Sequence, residues 1–512
     1  MKKHSTSQVT LRRSGGMLLA LGALALLANI ALASAGKGNG GHPSVLPPHS
    51  SASAETLQPL CIWIVSQPAQ PGAPGASYAP DGMIFHQVVH AYDPSEIAAA
   101  YGVDALHNEG LTGAGQTIVI VDSYGSPTAL QDLQIFSAAF GLPAPNLTIV
   151  YPDGRPTYSK AMHDIQTGWA VETSLDLQWA HAIAPDAKLV LIAANPAEST
   201  GVQGFPSMFK GIQYAIDHYP GAPISQSFGC AEQSFQSAAE VQLAKYEKIY
   251  QQAAAARCTV LAAAGDWGTA NFSKQGNVYP LQTVIWPASS PSVTAVGGTW
   301  LQYGWEWNPA ITFSDFLATS DFVSFLNFDS NAGRVEAVWR EDWYEFVNGG
   351  AGVATGGGLS AIFTTPEWQS GLPSSLLRGR RGVPDVSWNA AIDGGVLVYV
   401  TPLASWLFAG GTSASTPQLA GVVALANQLR AAGGKGPVGH LAPALYLLPS
   451  SDFNDIVPQT FGSGANTVTV DNNQRYGFEV PGLATTAGYD LTTGRGSPKA
   501  HGFVHHLATM IP

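Results

Sequence analysis

The chain has 512 residues, of which 46% are hydrophobic and 11% are charged. Its length suits one large α/β domain with appendages, and its composition provides ample apolar side chains for a core. Acidic residues outnumber basic residues 35 to 23, for a formal net charge of -12, which argues against nucleic-acid binding.

The first 35 residues have the pattern of a secretory signal peptide. Basic residues between positions 2 and 13 precede an apolar run over residues 17–32, and small residues follow. The run is long enough for a membrane anchor, but Asn29 and the small-residue ending favour cleavage. Arg12 and Arg13 leave twin-arginine export open. We expect a secreted or periplasmic, monomeric protein that leaves the membrane once residues 1–35 are removed.

Residues 36–89 are rich in Gly, Pro, Ser and Ala and show no sustained hydrophobic period. This composition predicts a linker or a short pro-segment. The three cysteines, Cys61, Cys230 and Cys258, permit one disulfide at most. Because Cys230 follows one predicted strand and Cys258 opens another, we expect no structural disulfide.

Short apolar runs alternate with amphipathic stretches from residue 90 onward, and we assign residues 90–512 to one domain. The predicted strands are residues 116–122, 188–193, 223–229, 259–263 and 293–296, and the predicted helices are residues 129–140, 169–183, 209–218 and 237–256. This alternation predicts an α/β fold with a mostly parallel central sheet and helices on both faces. Ligands bind such sheets at the carboxyl ends of the strands.

A pair of acidic residues lies on one face of the second predicted helix. Glu172 and Asp176 are four residues apart, and the same face carries Trp179 and Ile183. The more polar residues lie on the opposite face. The carboxylates are therefore predicted to point inward, where full ionisation of both would be costly, rather than to form a solvated acidic face.

A third acid, Asp266, ends the predicted strand 259–263 between Gly265 and Gly268. It falls where the sheet opens to a ligand, although from this segment alone a turn-forming aspartate is the commoner interpretation. Residues 302–353 follow. They are rich in aromatic side chains and fit neither a helix nor a strand period, so we interpret them as an insertion.

The run from Gly410 to Pro417 reads Gly-Gly-Thr-Ser-Ala-Ser-Thr-Pro and leads into apolar residues at helical spacing. The glycines permit a tight turn, which places Ser413 at a helix N-terminus. Unpaired N–H groups and the helix dipole favour negative charge there, as an oxyanion hole requires. Alternatively, Thr412 or Ser413 simply caps the helix.

Near the C-terminus, Asp455 and Asp490 lie in a segment, residues 453–498, that is rich in turn-forming residues. Two carboxylates and turn carbonyls brought together by a loop suit a hard cation such as calcium. From the spacing alone, ordinary turn chemistry explains the same residues.

Together these segments resemble the sedolisin family of serine-carboxyl peptidases. The resemblance extends from about residue 90 to residue 503 and includes Thr-Gly-Gly-Gly-Leu-Ser at 355–360 and Arg-Gly-Val-Pro-Asp-Val-Ser at 381–387. It implies a subtilisin-like α/β fold and an acid endopeptidase that acts on polypeptides. The implied catalytic roles are nucleophile for Ser413, general base for Glu172, partner of that base for Asp176 and oxyanion donor for Asp266.

The resemblance also implies one structural calcium ion, held at positions that match Asp455, Ile456, Thr486, Gly488 and Asp490. Many members of the family carry a large folded pro-domain, whereas residues 36–89 leave room only for a short one. How the activity is restrained before export therefore stays open.

Two competing hypotheses remain at this stage. A subtilisin-type enzyme active at neutral pH would use Asp122 with a histidine, but its His-Gly-Thr-His motif does not occur in the sequence. We interpret Asp122 and Asp385 as structural. A catalytically inactive, peptide-binding relative would be expected to lack at least one of the four implied catalytic residues, and all four are present.

Overall fold

The computed structural model describes residues 58–59, 62–66, 91–158, 163–195, 201–235, 239–273, 276–307, 326–328, 333–342, 352–403, 405–461 and 468–510. The α-helices are α1 (Pro94–Tyr101), α2 (Val103–Asn108), α3 (Ala129–Ala139), α4 (His163–Ile183), α5 (Phe205–His218), α6 (Ala239–Ala255), α7 (Ser374–Leu377), α8 (Thr412–Ala432), α9 (Leu441–Leu445) and α10 (Ala500–Thr509).

The strands fall into one large sheet and several small ones. In chain order they are β1 (Gln58–Pro59), β2 (Ile62–Ser66), β3 (Ala91–Tyr92), β4 (Thr117–Ser123), β5 (Asn146–Val150), β6 (Lys188–Ala194), β7 (Pro223–Gln226), β8 (Phe228–Ala231), β9 (Thr259–Ala263), β10 (Ile285–Trp286), β11 (Thr294–Gln302), β12 (Trp305–Trp307), β13 (Leu326–Phe328), β14 (Val335–Val338), β15 (Arg340–Glu341), β16 (Val353–Ala354), β17 (Gly358–Thr364), β18 (Arg380–Val383), β19 (Val386–Asn389), β20 (Gly395–Val400), β21 (Ser405–Gly410), β22 (Phe453–Asn454), β23 (Gln459–Phe461), β24 (Val468–Val470) and β25 (Ser497–Pro498).

The central sheet has eight strands in the order β14-β11-β9-β7-β4-β6-β5, with β19 also paired to β11. All of its pairings are parallel except the one between β11 and β14. The predicted α/β class with a mostly parallel sheet is therefore confirmed.

Helices cover both faces of this sheet, and the β4 strand shows why. Ile118 and Ile120 pack into one hydrophobic cluster, with side chains of α4 and α8, while Val119 and Val121 pack into a second cluster, with side chains of α5 and α6. Successive side chains of a strand point to opposite faces. A strand buried on both faces must then be apolar at every position, which explains the unbroken apolar run.

Several predicted elements differ from the observed ones in their bounds, including α5, which begins four residues before the predicted start at residue 209. The predicted strand 223–229 is two strands, β7 and β8, because the chain leaves the central sheet at Ser227. Helix α4 begins six residues before the predicted start at residue 169. Strand β11 continues to Gln302, where its far end pairs with β14.

The aromatic segment predicted as an insertion contributes to the sheet itself. Its residues Val335–Val338 form β14, the antiparallel edge strand beside β11. Glu336 on this strand is buried and accepts hydrogen bonds from Tyr101 Oη at 2.7 Å and Thr299 Oγ1 at 2.5 Å. The segment is thus anchored to the domain through both its backbone and a buried polar network.

Part of the segment predicted as linker or pro-segment forms strands against the domain. Strand β1 pairs with β8, and β2 pairs with β21, which leads into α8. The predicted signal peptide and Cys61 lie outside the described residues, while Cys230 and Cys258 are free thiols. Within the described ranges, none of the helices is both long and apolar enough to cross a membrane.

Candidate active site

Ser413 is the second residue of α8, at the carboxyl end of the central sheet. The turn before it needs glycine twice. Gly411 has a φ of 99°, and a Cβ on Gly410 would lie 2.5 Å from the carbonyl oxygen of Ala391. Ser413 is fully buried, and its Oγ has no hydrogen-bond partner among the described residues. The hydroxyl therefore does not cap the helix.

The cap of α8 comes from a distant part of the chain, Asp266. The Thr412 backbone N–H and the Thr412 Oγ1 hydroxyl both donate to Asp266 Oδ1 at 2.8 Å. Thr412 Oγ1 in turn accepts a hydrogen bond from the Gly265 backbone N–H at 3.0 Å. Asp266 thus lies directly beside the nucleophile candidate and is more than a turn residue after β9.

Burial determines the charge of Asp266. The side chain is 1% exposed, and burial raises the pKa of its carboxyl to about 7, although the hydrogen bonds from Thr412 act in the opposite direction. A neutral carboxyl carries a proton that it can donate. In acid, this group is therefore suited to stabilise negative charge next to Ser413.

The α4 helix presents Glu172 and Asp176, both fully buried. The Ser227 hydroxyl donates to Asp176 Oδ1 at 3.1 Å. The pKa of Asp176 is raised well above its usual range, first by burial and then by the negative charges of Asp122 and Glu172. Like charges in a low-dielectric interior cannot all ionise, so the cluster retains protons in acid.

The polar face of α4 is also buried, contrary to the expected contrast between an inner and an outer face. Gln178 donates to the carbonyl oxygen of Tyr399 at 2.8 Å and accepts from the Tyr399 N–H at 2.9 Å. His181 Nε2 lies 3.0 Å from the carbonyl oxygen of Pro143. These hydrogen bonds hold the side chains of Gln178 and His181 in fixed positions on the enclosed helix.

Close packing of α4 against α8 sets the position of the carboxyl pair relative to Ser413. The two helices meet at Gly421, where a Cβ would lie 2.7 Å from Ile183 Cβ and 3.4 Å from the Ala180 carbonyl oxygen. A hydrogen atom in place of a side chain lets the backbones approach. All four predicted catalytic residues therefore belong to two packed helices and one adjoining loop.

Asp122 and Ser227 are two members of this region that the sequence did not single out as functional. Asp122 ends β4, is fully buried, and has a pKa raised to about 7 by burial. Ser227 lies in the break between β7 and β8. Their shared position after parallel strands of one sheet is the signal that would have placed both beside α4.

Asp385, interpreted as structural, holds three parts of the fold together. It pairs with Arg381 at 2.6 Å, accepts from the Ala295 N–H at 2.8 Å and accepts from the Tyr446 hydroxyl at 2.9 Å. Burial raises the pKa of its carboxyl, and the adjacent Arg381 guanidinium offsets only part of that rise. These partners leave Asp385 committed to the sheet and its surrounding loops.

In the C-terminal loop, hydrogen bonds join four of the five predicted calcium ligands in two pairs, Asp455 with Gly488 and Thr486 with Asp490, and Ile456 is buried. The Gly488 N–H donates to both carboxylate oxygens of Asp455, at 2.9 and 3.1 Å. Asp490 is 1% exposed and accepts from the N–H groups of Thr486, Thr492 and Thr493 at 2.7 to 2.9 Å. Burial raises its pKa.

The donor set of this loop fits a hard cation. The carboxylates of Asp455 and Asp490 and the carbonyls of the intervening turns are all oxygen ligands, the type that Ca²⁺ prefers. The described donors to Asp490 are neutral. A nearby positive ion would therefore stabilise the charged form of this buried carboxylate.

Comparison with known proteins identifies similar sequences and similar solved structures. No family model matches the chain. It is 34% identical over 415 residues to kumamolisin from Bacillus sp. (strain MN-32), an alignment that covers 80% of this chain and 62% of kumamolisin. It is 29% identical to sedolisin from Pseudomonas sp. (strain 101), covering 79% of this chain and 59% of that protein. Human tripeptidyl-peptidase 1 is 28% identical, with 64% of this chain and 50% of that protein covered.

A solved structure of Pseudomonas sedolisin, described as a serine-carboxyl proteinase in complex with two molecules of pseudo-iodotyrostatin, has the same fold. The TM-score is 0.61 at 26% identity, and the match covers 82% of this chain and 98% of that one. The chain spans about three-fifths of the length of kumamolisin and sedolisin.

Proposed function

Since this chain belongs to the sedolisin family of serine-carboxyl peptidases, we propose that it is a secreted endopeptidase that hydrolyses polypeptides at acidic pH. The observation that carries the proposal is the group of buried carboxyls around Ser413. Glu172 and Asp176 lie on the helix packed against α8, and Asp266 binds the residue before the serine. This arrangement supports acid catalysis by carboxyl groups.

Ser413 is the proposed nucleophile, and Glu172 the general base. As Ser413 Oγ attacks the carbonyl carbon of a peptide bond, its proton passes to Glu172, which later delivers it to the leaving amine. A carboxylate then performs the part that an imidazole performs in a histidine-based triad. Asp176, on the same helical face, orients Glu172 and shares a proton with it.

Asp266 is the proposed oxyanion donor. The tetrahedral intermediate carries negative charge on the former carbonyl oxygen, and a positioned donor there accelerates the reaction most when it is preorganised. The hydrogen bonds from Thr412 fix the carboxyl of Asp266 at the start of α8, and its raised pKa keeps it protonated in acid. Donor and nucleophile thus share one helix terminus.

One calcium ion is the proposed structural cofactor, held by Asp455, Asp490 and the carbonyls of Ile456, Thr486 and Gly488. The ion would supply positive charge to a buried carboxylate and tie together the two ends of the loop. It would take no part in bond cleavage.

Residues 36–89 are the proposed pro-segment. Support comes from the pairing of β1 with β8, next to the break at Ser227, and of β2 with β21, which leads to Ser413. A chain segment in these positions competes with a substrate strand for the same backbone edges. If the proposal is right, N-terminal sequencing of acid-activated enzyme finds a start after residue 66.

The competing histidine mechanism is less well supported by the surroundings of Asp122. This aspartate ends β4 as a subtilisin-type triad would require, but His181, on the adjoining helix, already bonds to the Pro143 carbonyl. The two mechanisms predict opposite pH dependence. Carboxyl catalysis loses activity as the shared protons dissociate on raising the pH, whereas a histidine base loses activity when protonated in acid.

The test is a digest of a denatured protein mixture between about pH 3 and pH 8, with cleavage sites determined by mass spectrometry. We expect activity that peaks in acid and is lost as the pH rises through about 7, the pKa of Asp266. Activity that instead rises from pH 5 to pH 8 would support the histidine mechanism.

The matched variants are Ser413→Ala and Ser415→Ala, two residues apart on α8. Ser413→Ala should abolish cleavage without changing the fold, because alanine fits the same turn. Ser415 Oγ donates to the Trp388 carbonyl oxygen at 3.0 Å, so Ser415→Ala should cost stability and keep the activity. A Ser413→Ala protein with the wild-type rate is incompatible with the proposal, and loss of cleavage in all variants at every pH indicates an inactive relative.

A further inference from the structure

A cluster of metal-binding side chains lies outside the active site, where the two ends of the domain meet. His501 and His505 are on α10, and Glu109 immediately follows α2. Glu109 Oε1 is 2.6 Å from His501 Nε2, and Glu109 Oε2 is 2.9 Å from His505 Nε2. The three potential ligand atoms all lie within 4.8 Å of one another.

The spacing of the histidines directs both rings to one point. Residues four apart on a helix lie on the same face, and two histidines at this spacing on a helix are a recurrent zinc-binding pattern. The ring centroids are 4.8 Å apart with an interplanar angle of 49°. Both rings present the same nitrogen, Nε2, to the carboxylate, so all three ligands approach from one side of α10.

We propose that Glu109, His501 and His505 bind a divalent transition-metal ion of the zinc type. Two imidazoles and one carboxylate form a ligand set that zinc sites use, with Zn–N and Zn–O distances of about 2.0–2.2 Å. At about those bond lengths, tetrahedral ligand atoms lie roughly 3.3 Å apart, so only small side-chain rotations are needed. The side chains are 39% to 50% exposed, which leaves the fourth position to water.

An ion pair between Glu109 and protonated histidines is the alternative explanation. It places two cationic rings beside each other with one carboxylate to compensate both. A single divalent ion instead engages a lone pair from each of the three side chains, and it stays reachable from solvent. The two explanations differ in a measurable property, the binding of one divalent metal ion by these three side chains.

The bound ion would fasten α10 to α2. Arg430 on α8 donates to the Leu507 carbonyl oxygen at 2.8 Å, so α10 also packs behind the helix that carries Ser413. A cross-link between residue 109 and residues 501 and 505 joins segments at opposite ends of the domain. A ligand bound only by the native state raises stability by mass action, and the site is independent of the proposed peptidase chemistry.

The test is a titration of the full chain, without an affinity tag, with ZnSO₄ at about pH 7.5, where imidazole side chains are mostly neutral. The protein is first stripped with chelator and then kept in excess calcium, so that the C-terminal loop is unaffected. We expect one Zn²⁺ per chain by calorimetry and a rise in melting temperature. Co²⁺ in place of Zn²⁺ should give the visible absorption of a four-coordinate ion.

Three variants and one control identify the ligands. His501→Ala, His505→Ala and Glu109→Gln should each weaken Zn²⁺ binding about tenfold or more and remove the rise in melting temperature. His506→Ala, at the next position of the same helix, should bind Zn²⁺ as the wild type does, because His506 faces Asp452 at 2.7 Å. The Glu109→Gln variant preserves size and hydrogen bonding, so its loss of binding is not a folding defect.

Absence of zinc binding at about 100 μM, a concentration far above the dissociation constants of structural zinc sites, would overturn the proposal. So would binding that survives in both histidine variants. Peptide cleavage should be the same in His505→Ala as in the wild type, which separates failure of this site from failure of the proposed catalytic function.

Discussion

Single carboxyl groups determine the chemistry of this site, because their surroundings decide whether they carry a proton. Burial raises the pKa of both Asp266 and Asp122 to about 7, and burial together with the charges of Asp122 and Glu172 raises the pKa of Asp176. In acid such groups are neutral and act as donors; near neutral pH they become acceptors only. Under the proposed mechanism, Asp266 would therefore lose its donor function at neutral pH.

Substitution of Asp266 separates its proposed donor role from its structural role. Asp266→Ala removes both the proton and the acceptor for Thr412, and kcat should fall about 10²- to 10³-fold, as for the loss of an oxyanion donor. Asp266→Asn keeps an acceptor oxygen for Thr412 and adds an N–H donor, so its kcat should fall less than that of Asp266→Ala. The measurement is kcat and KM at about pH 4.

Melting temperatures of both variants serve as the control, since a cap contributes about 1 kcal/mol to stability. If Asp266→Asn and Asp266→Ala lose the same activity although the former keeps the wild-type melting temperature, Asp266 acts only through helix capping. Equal kcat in all three proteins would remove Asp266 from the mechanism.

Candidate site residues are predictable from the sequence where they lie in short local motifs. The glycines before Thr412 and the four-residue spacing of Glu172 and Asp176 are visible in the sequence because turn and helix geometry are local. Ser227 and Asp122 were not assigned to the site, because their proximity to α4 depends on strand order. Strand order is set by tertiary packing.

At the scale of elements, the contact between α4 and α8 sets the position of the proposed base, Glu172, relative to the proposed nucleophile, Ser413. The close approach at Gly421 leaves no room for a side chain beside Ile183. Gly421→Ala should force the helices apart, lower the melting temperature and reduce kcat more than it raises KM, because misplacement of reacting groups by about 1 Å can cost roughly a hundredfold in rate.

The matched control is Gly371→Ala, since a Cβ there meets no heavy atom within 4 Å and the backbone needs no positive φ. It should leave both stability and kinetics unchanged. Unchanged kcat in a destabilised Gly421→Ala protein would show that the helix contact supports the fold and not the alignment of Glu172 with Ser413.

The C-terminal loop provides a second prediction at this scale. Asp455 and Asp490 are drawn together through Gly488 and the threonines beside Asp490, and ordering such a loop has a large entropic cost. A calcium chelator should therefore lower the melting temperature and speed self-digestion, while initial rates on a small peptide change little. Asp490→Ala should have a lower melting temperature than the wild type without chelator, and the chelator should not lower it further.

Re-addition of Ca²⁺ and a histidine variant distinguish this loop from the proposed zinc site. Calcium should restore the melting temperature of the wild type and of His505→Ala, but not of Asp490→Ala. Asp186→Ala, a substitution of an exposed aspartate elsewhere, should behave as the wild type. A protein that contains no calcium and melts identically with and without chelator has no such site.

Helices and strands were predictable where one hydrophobic period dominates the sequence. They were less predictable where pairing with a distant part of the chain sets the conformation. Strand β9 has the predicted bounds because all five residues are buried on both faces. The break at Ser227 divides the single strand predicted over residues 223–229, and β14 gains its strand conformation from pairing with β11. Neither feature has a local signal, since both depend on partners distant in the chain.

For the whole molecule, buried acids make stability depend on pH in an unusual direction. Besides Asp122 and Asp266, burial raises the pKa values of Glu247 and Glu341 to about 7. An acid with a raised native pKa binds more protons in the native state than in the unfolded state between about pH 4 and pH 7. Stability then falls as the pH rises through this window.

Two buried histidines oppose this trend. Burial lowers the pKa of His440 to about 4 and also lowers that of His181, so protonation of the unfolded chain below about pH 6.5 disfavours folding. The four acids outnumber them, and each acid shifted from about 4 to 7 changes stability by up to roughly 4 kcal/mol. The net effect is therefore a loss of stability towards neutral pH.

We accordingly predict a higher melting temperature at about pH 5 than at about pH 7.5, measured on Ser413→Ala to prevent self-digestion and in constant calcium. Glu247→Gln should reduce this difference. Its amide can accept from Trp286 Nε1 and donate to Ser290 Oγ, the two groups now 2.9 and 2.7 Å from the carboxylate, so the contacts survive while the titrating proton is lost. A melting temperature that rises steadily from pH 5 to pH 7.5 would mean that these acids are ionised in the native protein. The carboxyl mechanism would then lose the neutral donor on which it depends.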